Sequence, residues 1–232
     1  MERDHRSRRA PARGTNGKLA EVVAKRIEDE ITTRGWPVGE VLGSEAQLLE
    51  RHGVSRSALR EAVRLLEHHQ VASMRSGPGG GLVVAEPDSS AISRALALYL
   101  EYRRVDLRQI LEVKRALELA CVRLASERIT SDGVARLRSA IALEKNAPGD
   151  GGVSTQNIHV LVAELTGNPA LHLFVEVVTN VSAERWGSGF RTHAREISET
   201  HDRIAEAIIA GDAALAVHTM SRHLDELAAL LR

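Results

Sequence analysis

Two serines, Ser44 and Ser55, each precede a run of helix-forming residues, and Gly53 stands between the runs. That arrangement leaves the local chain little choice. A serine at the head of a helix accepts a first-turn N–H that has no carbonyl partner. Glycine closes a helix because it takes the left-handed conformation without a Cβ penalty. Two short helices joined by a tight turn are expected, the first opening at Ser44 and ending near Gly53, the second opening at Ser55. In "GVSRSALREAVRLLE", residues 53–67, Leu59, Ala62, Val63 and Leu66 fall on one arc of a 3.6-residue helix. Arg56, Arg60 and Arg64, spaced i, i+4, i+8, fall on another. One face packs and the other reaches outward, from the helix end where free N–H groups and guanidinium groups together suit an anion such as phosphate. The plainer alternative is a solvated basic face.

The surroundings of this pair decide between the two. A preceding helix is expected from Lys18 to about Arg34, with Leu19, Val22, Val23, Ile27 and Ile31 on one face and "GWPVGEVLG" breaking it. After the arginine-bearing helix come "VASMR", "SGPGGG" and "LVVAEP", which read as two short strands around a glycine-rich loop, a β-hairpin wing. A nucleotide-binding loop is the other use of such glycines, but no Lys-Ser or Lys-Thr follows them. The parts compose a winged helix-turn-helix over residues 17–86, preceded by a flexible basic arm, 1–16, with five Arg against two acidic residues.

Residues 87–105 read as a linker and connecting helix, and 106–232 as an all-helical domain, so the fold class is mainly α with one small β-hairpin. Helices are expected over about 90–103, 107–128, 131–145, 154–166, 169–185, 190–210 and 212–231. Net charge is zero, with 31 basic and 31 acidic residues, which excludes a uniformly basic nucleic-acid binder. Charge is nevertheless uneven: residues 51–80 hold five Arg against two Glu. The single cysteine, Cys121, lies in an apolar helical pattern and reads as a buried reduced thiol. No apolar run approaches the roughly 20 residues that span a bilayer, so a cytoplasmic protein with no membrane partner is expected.

The run from "LAEVVAKRIEDEI" through "SEAQLLERHGVSRSALREAVRLLEHHQVASMRSGPGGGLVV" resembles the DNA-binding domain of the GntR family of bacterial transcription regulators. "LRQILEVKRALELACVRLASERI", "IHVLVAELTGNPAL" and "HDRIAEAIIAGDAALAVHTMSRHL" resemble that family's FadR-type, all-helical FCD effector domain. The resemblance implies that Arg56 and Arg60 read operator DNA in the major groove, where arginine pairs bidentately with guanine or holds phosphates. Ser55, Ser57 and Arg64 on the same helix are expected to add contacts, and the wing tip corresponds to Ser76, Gly77 and Gly79. One departure is Ala46, where the family commonly has an arginine that touches DNA from the preceding helix.

Three of the ten histidines form a constellation. His201 and His223 lie eleven residues before and eleven after Asp212, so a hairpin turning at Ala210-Gly211-Asp212 puts them at the same height, where two inward rings can meet one ion. His159 comes from another helix, and the resemblance supports it, since metal-binding members place three such histidines on these helices. A divalent metal (zinc, nickel or manganese), and no organic cofactor, is expected on His159, His201 and His223. The carboxylate that the family often places four residues before the first histidine is Thr155 here, and Lys114 stands where the family often has arginine. Both are expected effector-binding positions, Lys114 balancing an anionic effector or else lying on the surface. The plain alternative is three core histidines with hydrogen-bond partners.

The function expected on this reading is a homodimeric repressor. It binds double-stranded operator DNA and responds to a small carboxylate or acyl-type effector that shifts the placement of the two winged domains. A structural metal site without effector sensing is the alternative for the helical domain. An enzyme with catalytic zinc is the rival class, but it lacks a general base near His159 and leaves the arginine stripe unexplained. A pure interaction module with a vestigial helix-turn-helix has only Ala46 in its favour.

Overall fold

The computed structural model describes residues 13–146, 157–186 and 194–229, and the chain divides into two units, Met1–Asp88 and Ser89–Arg232. In the first, helix α1 (Arg13–Thr33) buries Ala20, Val23, Ala24, Ile27 and Ile31 and packs on α3. It starts before the expected Lys18, so the segment read as an arm is helical from Arg13; residues 1–12 lie outside the described residues.

The caps act as the sequence requires. Helix α2 (Glu45–His52) opens with Ser44 Oγ accepting the Gln47 N–H at 3.3 Å, while Gln47 Oε1 accepts the Ser44 N–H at 2.8 Å. It closes at Gly53, whose φ of 63° lets its N–H reach the Leu49 carbonyl. Helix α3 (Arg56–His68) opens with Ser55 Oγ accepting the Ala58 N–H at 3.3 Å.

The wing contains a strand that sequence reasoning missed. β2 (Ala72–Arg75) and β3 (Gly81–Val84) pair antiparallel from Ala72 opposite Val84 to Arg75 opposite Gly81. β1 (Val41–Gly43) adds to the other side of β3, giving the order β1-β3-β2. Gly81 permits this: a Cβ there would stand 2.4 Å from the Gly43 carbonyl oxygen, so only glycine lets the strands close. Strand β1 is too short, and its neighbours too rich in Gly and Pro, to show an alternating pattern.

The second unit contains α4 (Ser90–Tyr102), α5 (Leu107–Arg128), α6 (Ser131–Lys145), α7 (Ile158–Leu165), α8 (Pro169–Trp186), α9 (Ala194–Ile209) and α10 (Ala213–Ala229). The segment 87–105 divides accordingly, because α4 packs on α8 within this unit. Helix α5 is central and touches α7, α8, α9 and α10. Val122, Leu137, Leu161, Val162, Ile204, Ile208, Met220 and Leu224 fill the core around it. Cys121 is a free buried thiol there, its pKa pushed up to about 11 chiefly by burial. Among the described residues, no helix is long and apolar enough to cross a membrane.

Candidate metal centre and nucleic-acid interface

Helix α3 separates its two faces completely. Ala58, Leu59, Ala62, Val63 and Leu66 are buried, whereas Arg56, Arg60 and Arg64 are exposed. Arg64 shares an exposed ion pair with Glu61 at 3.1 Å, a contact worth little in water that leaves the guanidinium available. The Ser55 hydroxyl is occupied in part by the cap and lies 3.1 Å from the Ser57 Oγ. Ser76, Gly77 and Gly79 are exposed in the β2–β3 loop, which closes with the Gly80 N–H on the Gly77 carbonyl at 2.9 Å. Arg75, exposed at the end of β2, adds a positive charge beside that loop.

The second candidate site lies inside the helical unit. The Gly211 turn, φ 71°, folds α9 against α10, and Asp212 accepts the Leu215 N–H at 2.9 Å to start α10. His201 and His223 consequently stand level, their Nε2 atoms 3.2 Å apart. His159 is carried in by the first turn of α7, where Asn157 Oδ1 accepts the His159 backbone N–H at 3.0 Å. Its ring centroid lies 5.0 Å from that of His201 and 5.4 Å from that of His223. The three are 7%, 6% and 1% exposed, and one ligand atom from each lies within 4.8 Å of the others. Among the described residues this is the one His, Cys, Asp or Glu group with a metal-compatible spacing.

Two carboxylates surround the rings. Glu118 on α5 lies 2.9 Å from His159 Nδ1, and Glu144 on α6 lies 2.8 Å from His201 Nδ1. Lys114, one turn before Glu118, pairs with it and also donates to Thr179 Oγ1 at 2.9 Å. Burial opposes the charge on Glu118, but His159 and Lys114 more than offset that cost and hold its carboxyl at about 2. Burial lowers His159 to about 4 and His223 to about 2, with the neighbouring imidazoles adding to the effect. Both rings are therefore neutral at pH 7, the state in which imidazole binds metal.

Residues 19–82 match the gntR family of bacterial regulatory proteins and residues 109–226 match the FCD domain. The HTH-type transcriptional regulator LutR of Bacillus subtilis is 30% identical, over 80% of this chain and 89% of its own length. The chain belongs to the GntR family. NanR of Cronobacter sakazakii, an HTH-type transcriptional repressor, is 26% identical over 67% of this chain and 63% of its own length. The solved Streptococcus agalactiae GntR protein shares the fold at a TM-score of 0.68, with 23% identity, covering 90% of this chain and 98% of that one.

As a GntR-family protein with an FCD domain, the chain is a DNA-binding transcription regulator and not an enzyme. The structure brings His159, His201 and His223 together and puts Arg56 and Arg60 on one open face. It differs from the surface alternative at Lys114, which is buried and paired with Glu118. It differs again at His159, where the Glu118 carboxylate stands although no acid–base group was expected. Thr155 lies outside the described residues. Glu118 had a readable signal: Ile110, Lys114, Glu118, Cys121 and Ala125 share one helical stripe, and two charges inside an apolar stripe demand partners. Glu144, in the last turn of α6, had none.

Proposed function

We propose that this GntR-family regulator is a cytoplasmic, FadR-type repressor that reads a palindromic operator as a homodimer. In this reading the helical unit takes a divalent ion and, on it, a small carboxylate effector. Arg56 and Arg60 contact base edges, while Ser55, Ser57, Arg64 and the wing residues Ser76, Gly77 and Gly79 hold the backbone. A relative that is itself a repressor, NanR, supports the direction of control.

The observation that carries the metal reading is the 3.2 Å between His201 Nε2 and His223 Nε2. Two nitrogens at about 2.0–2.1 Å from one tetrahedral zinc stand roughly 3.3–3.4 Å apart, so this pair needs almost no movement. His159 completes a three-nitrogen donor set that suits zinc, nickel or manganese. When bound, the ion supplies a Lewis-acidic anchor for an oxygen anion. Glu118 is balanced by Lys114, which leaves Glu144 as one negative charge against two positive ones, and an anionic effector complements the remainder. A cavity of about 360 Å³ reaches His223 and is lined also by Ile197, Thr200, Arg203 and Leu227 and by the carboxylates Glu196, Glu199 and Glu226. That is room for a small molecule beside the histidines.

Thermal unfolding of the whole protein tests this reading. Zinc, nickel or manganese at a hundredfold excess over Kd adds about 2.7 kcal/mol, a rise of several degrees that chelator reverses. His201→Ala abolishes the response, because two protein ligands remain. His218→Ala, on the exposed face of α10, leaves it intact. No shift with any of the three metals refutes the site.

A further inference from the structure

We propose that Glu118 and Glu144 are positioning carboxylates, each holding one histidine in the Nδ1–H tautomer so that its Nε2 lone pair is left for the ion. The proposal rests on the metal reading above and names two residues outside the ligand set. An ionised carboxylate only accepts hydrogen bonds, so at 2.9 Å from Glu118 and 2.8 Å from Glu144 the Nδ1 atoms of His159 and His201 must both be donors. The two carboxylates come from different helices, α5 and α6, and grip rings on α7 and α9. Lys114 keeps Glu118 anionic from the far side, and Thr179 on α8 holds Lys114, so this support is anchored in two further contacts. The same arrangement recurs wherever histidine must present one chosen nitrogen to a metal, with the outer carboxylate fixing ring orientation and basicity.

His223 follows by elimination. With Nδ1–H on His201, the His201 Nε2 is an acceptor, so across 3.2 Å the His223 Nε2 must donate in the ion-free protein. An ion on that nitrogen requires the proton to leave it, and the ring reaches the neutral bound form by carrying its proton on Nδ1. His159 and His201 are thus preset, and His223 is the ring that changes tautomer.

Two-bond nitrogen–proton spectra of the histidine rings in the full chain at pH 7, recorded with and without zinc, test this directly. Expected in the ion-free protein are Nδ1–H for His159 and His201 and Nε2–H for His223, with His223 converting to Nδ1–H as zinc is added. Competition against a chromophoric chelator should show zinc binding roughly 10- to 100-fold weaker in Glu144→Ala, and weaker by less in Glu118→Gln, which keeps an acceptor but loses the charge. Glu144→Gln, which keeps an acceptor, recovers part of the loss, and Glu112→Gln on the exposed face of α5 leaves affinity unchanged. Glu144 is partly exposed, so its variants test the idea even if Glu118→Gln leaves Lys114 unpaired and fails to fold. An Nε2–H tautomer at His159 or His201 in the ion-free wild type, or wild-type affinity in Glu144→Ala, overturns the proposal while the metal site stands. Absence of zinc, nickel and manganese binding to the wild type overturns both, and is seen before any variant is made.

Discussion

At His159 and His223 the fold charges a price for protonation. Both rings titrate below the ordinary histidine value of about 6.5, because burial excludes the water that would solvate an imidazolium. An unfolded chain takes up protons near pH 6.5 that the folded one refuses, so stability is lost as pH falls from there toward about 4 for His159. Glu118 adds in the same direction: its depressed pKa contributes stability above about 4.5 that disappears as pH falls toward about 2. The ion-free protein should therefore show a falling melting temperature between pH 7.5 and pH 5, measured by circular dichroism at 222 nm. The slope should shrink in His223→Gln, which removes one of the refusing rings. A flat profile over that range contradicts the buried neutral rings of His159 and His223.

Helix α3 shows how one element serves two masters. Five buried apolar residues hold it against the first unit, so its arginines are free of structural duty. Arg60→Ala should leave the far-ultraviolet spectrum and melting temperature unchanged while weakening binding to an operator duplex selected from genomic fragments by about 1–3 kcal/mol, or roughly 5- to 150-fold. Arg56→Ala should act likewise. Fluorescence anisotropy at matched salt is the measurement, since phosphate contacts alone make affinity strongly salt-dependent. Equal binding by wild type and Arg60→Ala would remove α3 from the interface. The wing presents a contrasting element: its β1 strand depends on Gly81 and Gly43 meeting across the sheet, a tertiary coincidence that neither segment advertises alone.

For the whole molecule, one winged unit recognises only half of a palindrome, and two half-sites lie roughly 34–36 Å apart along one turn of DNA. A symmetric pair of chains is the simplest reader of such a site. The full chain should sediment at twice its own mass at micromolar concentration and bind one operator duplex per two chains. A monomer that binds a single half-site with full affinity rules this out.

Much of the architecture was legible because it is written in local chemistry. Ser44, Gly53 and Ser55 delimit α2 and α3 through backbone groups that only nearby side chains can satisfy, and the 3.6-residue period sorted Leu59 and Leu66 from Arg56 and Arg60. The level placement of His201 and His223 was readable too, because a hairpin turning at Gly211 conserves distance from its turn. Pairings across long stretches of chain were not. Glu118 meets His159 across 41 residues and Glu144 meets His201 across 57, and no local rule states which way a helix turns its charged residues once several helices pack. Sequence determined the helices, the caps and the candidate ligands. Packing of α5 and α6 against α7 and α9 alone decided which nitrogen of the His159 and His201 rings is held, because that choice depends on carboxylates delivered from other helices.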